Sequence, residues 1–451
     1  MTVTILLATG FGISTAFGMI LLFSSYVSFS ANIIQFGMDQ LYESPSEDSV
    51  FFIHWFVFTS QLSAAINKSA IISVVYTWTC YIETNRHYIQ EYIAGFHATP
   101  VAALVLLTTS VWIAKCRHQS RFMVVNDSGS RNTYRLVYNI IRFAAQHKIP
   151  INRSAFTYCE DEPPSRMDLA KEKYGGPFTT EQVEDVKAFT GILRVLLTFG
   201  PLFITEIVAN DMLYWFSNHL HNNWYTRQTP SSDSTILFLC ILINGFKSGV
   251  LTEIFIVILI PLYLCVLRPF IHRCIPGMLK RIGLGIIIRL LSMLSVFLID
   301  TIGHTRHSNS DCFLHLPTSS DLGISIYCLI FVYFLNALCT VLFYTAAYEF
   351  MCAQSPHAMK GLLIGTFFLI KGLFQLFGIT VVRIPFISWS FNAPFPSCGF
   401  VYYLVNITVA IIGLVAYTWV ARRYQYRQRD EPDNIYRYVE EYYDKALNGT
   451  M

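Results

Sequence analysis

Long apolar runs constrain this chain before any other feature does. The hydrocarbon core of a bilayer is about 30 Å thick and takes roughly 20 helical residues to cross. Runs of that order lie at 4–29, 51–81, 96–114, 189–217, 235–267, 281–303, 323–350, 358–381 and 399–421, nine in all. The second is interrupted by Asn67 and Lys68. No period-two alternation runs through them, and an open sheet in lipid would leave backbone groups without partners. The expected fold class is therefore all-α, a polytopic helical membrane protein. Composition agrees: of 451 residues, 53% are hydrophobic and only 14% charged. The 36 Phe and 26 Tyr suit a surface that meets acyl chains and headgroups. The first run has no basic region ahead of it and stays apolar to about residue 36, so it reads as a span rather than a signal peptide.

Lys and Arg set the orientation. The segment 115–187 carries Lys115, Arg117, Arg121, Arg131, Arg135, Arg142, Lys148 and Arg153 among others. The connector 268–281 carries Arg268, Arg273, Lys280 and Arg281, and the tail carries Arg422, Arg423, Arg427 and Arg429. The opposite connectors, 218–234 and 304–322, hold only Arg227 and Arg306. The basic segments and the C-terminus are expected in the cytoplasm. Four units are expected: three spans in 1–114, a cytoplasmic linker at 115–188, a six-helix bundle at 189–421 and a tail at 422–451. In the linker, Leu136, Val137, Ile140, Ile141 and Ala144 fall on one side of a helix with Arg on the other. Two readings stay open there, a helix on the inner membrane surface and a helical extension of a span. Thr179 and Gln182 have the spacing of a capping box that starts the next helix. A net charge of +3 implies no nucleic-acid partner.

One polar interruption stands out. "YEFMCAQSPHAMKGLLIG", residues 348–365, sets Glu349, Gln354, Pro356 and Lys360 between two apolar runs. Pro356 has no N–H and biases Ser355 away from helical angles, so the first helix stops there. Lys360 is expected in the headgroup zone, and Glu349 and Gln354 are expected to pair across the short connector. The stretch resembles the Glu-Phe, Gln-(Ala/Ser)-Pro, Met-Lys signature of the proton-dependent oligopeptide transporter family, a branch of the major facilitator superfamily. Glu349, Phe350, Gln354, Ser355, Pro356, Met359 and Lys360 carry the match. "SANIIQFGMDQL" (30–41), with Asn32, Asp39 and Gln40, resembles the motif at the inner end of the family's fourth helix, in the form closest to its histidine/peptide branch. "RIGLG" (281–285), opening with Arg281, resembles the start of the ninth.

The resemblance implies a partial major-facilitator fold in which the nine runs are helices four to twelve. The first three helices, and the helix-one Glu-x-x-Glu-Arg motif the family uses for proton coupling, have no counterpart in this sequence. That implies that the 451-residue chain alone does not transport. For the full-length form it further implies alternating access and proton-driven uptake of short peptides or amino-acid-like solutes, with a bilayer partner and no cofactor. The family's fourth-helix cation is Ser30 here, and its tenth-helix Glu is Thr340. Their joint loss is coherent, since a lone buried charge is costly. It also admits an alternative, a non-transporting paralogue acting as sensor or scaffold. An enzyme is not expected, because no His/Cys/Asp set recurs on one helix face. The membrane is expected to be the plasma or an endolysosomal membrane.

Ionisable residues inside spans are functional candidates. Glu206 and Asp211 are favoured as cavity residues because the family's seventh helix lines its central cavity. Asn244 and Asn336 are either cavity residues or packing groups. Arg289 and Asp300 read better as an interhelical pair or as residues reaching toward the membrane surface, and Lys247 and Glu253 flank the middle of the fifth run of the list above. The cysteines show no CxxC and read as packing residues, apart from Cys312 and Cys398. Both fall on the expected non-cytoplasmic side, where a bridge between them and two free thiols are the alternatives. "HTRHSNSDCFLH" (304–315) is too irregular to suggest a metal site.

Overall fold

Backbone groups in lipid must pair within their own segment, and the apolar runs that fall within the described residues resolve as helices. The computed structural model describes residues 32–41, 46–82, 133–147, 165–207, 213, 249–268, 276–306, 326–356, 359–384 and 399–426. Its helices are α1 (32–40), α2 (Ser46–Ile82), α3 (Thr133–Gln146), α4 (Thr180–Leu197), α5 (Val250–Pro261), α6 (Met278–Arg306), α7 (Leu329–Gln354), α8 (Lys360–Phe377) and α9 (Gly399–Arg423). After a turn at 198–199, α4 resumes at 200–207. The described residues contain no strand. Six helical stretches are long and apolar enough to cross a membrane: Glu47–Ile66, Thr180–Ile207, Met278–Ile299, Leu329–Gln354, Lys360–Val382 and Tyr402–Arg423. A shorter apolar helix covers Val250–Val266. The expected spans 4–29 and 96–114 lie outside the described residues.

The bundle is built on α7. It packs along α6 and also touches α2, α4, α5 and α8, while α9 leans on α6 and α4. The crossing of α6 and α7 needs Gly285, because a Cβ there would lie 3.1 Å from the backbone nitrogen of Phe343. The second glycine of "RIGLG" is thus a packing requirement. Phe199, Phe203, Phe343 and Phe367 then interlock edge to face, with centroids 4.9 to 6.0 Å apart. Pro261 ends the regular part of α5, which continues as a π-helical turn over Leu262–Leu267.

The basic connectors meet at one end. Arg268 faces Glu47 at 4.0 Å and lies over the Phe51 ring. Tyr424 packs on Phe350 and donates to Gln354 Oε1 at 3.3 Å. There α1 comes so close to α8 that a Cβ on Gly361 would lie 1.9 Å from Gln35 Oε1. Ile34 and Met38 of α1 share one core with Met359, Leu363 and Ile364. Nearby, α2 joins α5 and α7 through His54 stacked on Tyr263 and Phe56 edge-on to Tyr348.

The capping box forms: Thr179 Oγ1 accepts from the Gln182 N–H, and Gln182 Oε1 accepts from the Thr179 N–H, both at 3.3 Å. Ahead of it, residues 165–178 make a compact elbow under α3. Ile140 and Ala144 of α3 are buried, whereas Ile141 is exposed beside Tyr138 and Arg142. The apolar side of α3 therefore faces protein, contacting α4 and the elbow turn Asp168–Ala170. This outcome follows neither of the two readings above completely.

Asp168 knots the elbow. Its carboxylate accepts from the Ser165 N–H at 2.8 Å, from Ser165 Oγ at 2.6 Å, from Lys171 at 2.6 Å and from Lys187 at 2.5 Å. Lys171 also bonds Glu184. Burial alone would push the Asp168 carboxyl up. The donors from Lys171, Lys187 and Ser165 outweigh it and hold the group well below the usual carboxylate range. A lowered folded-state value gives stability that is complete above the unfolded value and is lost as pH falls below it. The protection of the 165–178 amides against hydrogen exchange, taken relative to their intrinsic rates at each pH, should therefore be high at neutral pH and fall below about pH 4, the ordinary aspartate range. Asp168→Asn should abolish that pH dependence of the protection.

Candidate functional site

Three helices of the bundle bring ionisable side chains to one point. Glu206 comes from the continuation of α4, Tyr344 from α7 and Lys371 from α8. Lys371 Nζ donates to Tyr344 Oη at 2.6 Å, and Tyr344 Oη donates to Glu206 at 2.9 Å to Oε2 and 3.1 Å to Oε1. Lys371 also stands 3.8 Å from Glu206 Oε2. The phenol accepts one proton bond and donates another, which lets it bridge the cation and the carboxylate. The Lys371 ammonium lies 4.5 Å from the centroid of the Tyr344 ring. The Lys371 and Glu206 side chains keep 26% and 27% of their surface exposed, so the pair is open on one side.

A second polar group adjoins the first. Arg289 of α6 is only 5% exposed. Its Nη1 donates to Asn336 Oδ1 at 2.7 Å, and its Nη2 to the backbone oxygens of Thr205 and Glu206 at 3.2 Å each. Ser292 Oγ donates to the same Asn336 oxygen at 2.7 Å. Thr340 Oγ1 donates to the Asn336 carbonyl at 2.9 Å. Arg289 thus holds α4, α6 and α7 together while all its named partners are neutral oxygens.

Of the expected cavity residues, Glu206, Asn336 and Thr340 gather here. Asn32 lies on α1, exposed at the other contact region. Ser30, Asp211 and Asn244 lie outside the described residues, as do Cys312, Cys398 and residues 307–315 of the His-rich stretch, whose first three residues, 304–306, form the end of α6 instead of a loop. Arg289 is an interhelical residue, as expected, but Asn336 and backbone oxygens receive it. Lys371 and Tyr344 were not anticipated. The signal for Lys371 was available, since it is a single cation in the middle of the run 358–381. Tyr344 gave none, being one aromatic in an aromatic-rich helix.

The residues of the 348–365 stretch differ from their expected arrangement in two respects. Glu349 does not pair with Gln354; it accepts from Arg281 Nη2 at 2.5 Å, tying the start of α6 to the end of α7. Two residues five apart leave different faces of a helix, and Gln354 turns toward Tyr424 instead. Lys360 is not exposed as a headgroup-zone cation would be; it is 4% exposed at the first turn of α8, next to Gly361, where α1 approaches. Pro356 behaves as expected: α7 ends at Gln354 and Ser355 is extended, with ψ 138°. Asp39 and Gln40 are half-buried at the end of α1.

Arg281 and Glu349 are both largely shielded, so removing one strands the other. Arg281→Met should destabilise the protein by about 3 kcal/mol. The double variant Arg281→Met/Glu349→Leu should recover much of that loss, because no unpaired charge remains. Thermal unfolding midpoints in detergent would check both outcomes.

The comparisons with known proteins agree on the kind of chain this is. The description "POT family" matches residues 12–392. "Solute carrier family 15 member 3" of Mus musculus is 21% identical over 441 residues, covering 92% of this chain and 70% of the relative. The Rattus norvegicus protein of the same name is 21% identical over 447 residues, with the same coverage. Among solved structures, "In meso crystal structure of the POT family transporter PepTSo" superposes with a TM-score of 0.54 at 16% identity, covering 87% of this chain and 75% of that one. "Crystal structure of auto inhibited POT family peptide transporter" gives 0.55 at 15% identity, covering 89% and 75%. The fold is therefore the all-α, multi-span major-facilitator arrangement, and with the family match running over most of its length the chain belongs to the POT family.

Proposed function

We propose that this protein is a proton-coupled secondary transporter of short peptides or amino-acid-like solutes working by alternating access, and that Glu206 is its proton carrier. The observation that carries the reading is the half-exposed Glu206–Tyr344–Lys371 chain inside the bundle. A carboxylate in that setting changes its partners when it takes a proton, and its neighbours on α7 and α8 respond. The groups facing it are Tyr344 and Cys339 on α7, Lys371 on α8 and Arg289 on α6. The similarity to a solute carrier and to a peptide transporter supports the substrate class. The expected basic end faces the cytoplasm in this reading. The non-transporting alternative drew on the missing charge at Thr340. Lys371 weakens it, since it supplies a membrane-embedded charge on the adjacent helix.

With the native protein in liposomes, an inward proton gradient should drive uptake of labelled dialanine. Glu206→Gln should abolish gradient-driven uptake while leaving exchange of dialanine between the two sides. Gradient-driven uptake that survives in Glu206→Gln would remove this residue from the coupling. Failure of the wild-type protein to take up any short peptide or amino acid would favour the non-transporting reading. Lys360 lies at the α1–α8 contact, away from the central cluster. Lys360→Ala should lower turnover or expression and leave the apparent affinity for dialanine nearly unchanged.

A further inference from the structure

We propose that Lys371 is an anion-binding subsite that takes a carboxylate of the transported solute, in competition with Glu206. The proposal rests on the transport reading for its context but on separate observations for its chemistry. Around Glu206 the described residues place two cations, Lys371 and Arg289, against one carboxylate. Arg289 is held rigidly by Asn336 and by two backbone oxygens, and it touches Glu206 only through the main chain. It contributes charge without offering an open face. Lys371 has the complementary properties. It is partly exposed, and its contact with the Glu206 carboxylate, at 3.8 Å, is longer than a hydrogen bond. Its one short polar bond, to Tyr344, is to a neutral phenol.

An ammonium so placed is incompletely satisfied. Among the described residues, one of its three N–H donors is engaged by Tyr344 and the rest have Glu206 only at a distance. An incoming carboxylate at hydrogen-bond range would be a better acceptor than Glu206 is at 3.8 Å. The aromatic side chains of Phe203 and Tyr344 border the ammonium on its covered side and lower the local polarity there, which favours a charged acceptor. The site also discriminates. A solute whose carboxylate is replaced by an amide would leave Lys371 without its anion, and a site built for a charge-assisted bond rejects such an analogue. Neutralising Glu206 removes the resident competitor, so protonation of that residue and capture of a carboxylate favour each other. The linkage requires no movement beyond the Lys371 side chain.

The test uses the full chain purified in detergent, with thermal stabilisation as the binding readout. The probes are dialanine, dialanine amide and propionate. Wild type should bind dialanine about tenfold or more tightly than the amide, the range for a hydrogen bond to a charged group. Lys371→Gln should lose that preference, Lys371→Arg should keep it in part, and Glu206→Gln should bind dialanine several-fold more tightly than wild type. Equal affinity of wild type for dialanine and its amide would overturn the subsite while leaving the peptide reading intact. Stabilisation by propionate but not by dialanine, lost in Lys371→Gln, would keep the subsite and reject short peptides as the solute. No stabilisation of the folded wild type by either carboxylate would overturn the proposal, and so would a Glu206→Gln variant that binds dialanine more weakly.

Discussion

A lysine ammonium among apolar helices has to be met by an oxygen, and the arrangement of this bundle's centre follows from how that requirement is satisfied. Lys371 is met by the Tyr344 hydroxyl, and the hydroxyl in turn is oriented by Glu206. Those contacts tie α8 to α7 and α7 to α4 at one level of the membrane. Arg289 ties α6 to the same level through Asn336 and the carbonyls of Thr205 and Glu206. Interhelical bonds of this kind are worth only about 0.6 kcal/mol on average in a membrane bundle, because the separated helices also find partners for the same groups. What they supply is register. A one-turn slide of α8 would take Lys371 away from Tyr344 and leave both groups facing hydrocarbon.

The apolar frame around that layer is what makes its chemistry selective. Phe203, Phe343 and Phe367 pack edge to face beside Tyr344, and Phe203 also borders the Lys371 ammonium. Rings fill the space that water would need, so a charge entering there feels a low dielectric and strong fields. Arg289 and Lys371 then play different parts despite carrying the same charge. The planar guanidinium suits a fixed structural role with several simultaneous acceptors, whereas the ammonium is a compact charge on a flexible stem that can change partners. The buried arginine holds helices, and the half-exposed lysine is available to a ligand.

The frame was readable from hydropathy, and the polar interior was not. The runs 323–350, 358–381 and 399–421 correspond to helices within a few residues, because length and apolarity decide what crosses a bilayer. Local chemistry was equally plain: Thr179 and Gln182 form their capping box, and Pro356 stops α7 where a missing N–H demands it. Averaging over a long window is what concealed Lys371, whose charge is diluted by Phe367, Phe368, Leu369 and Ile370 immediately before it. Tyr344 could not be found at all without knowing which way α7 turns. Glu349 was misassigned for the same reason: its partner, Arg281, is 68 residues away in sequence. Helix rotation is set by packing between segments, and no pattern within one segment contains it.

The contrast between contacts within the six-helix bundle and contacts made to it by α1 and α2 bears on movement. Within the bundle, Arg281 and Glu349 form a shielded pair, and Gly285 lets α6 and α7 approach to backbone contact. Such contacts are costly to break, so those helices move together. Glu47, by contrast, reaches Arg268 at 4.0 Å from an exposed position, and a pair of that kind contributes about 0–1 kcal/mol. Ile34 and Met38 share a core with Met359 and Leu363, and apolar packing of that kind has no directional preference. Rocking about a central site needs a rigid body on one side and a separable seam beside it. The shielded Arg281–Glu349 pair lies within α6 and α7, and the exposed Glu47 meets Arg268 where α2 joins α5.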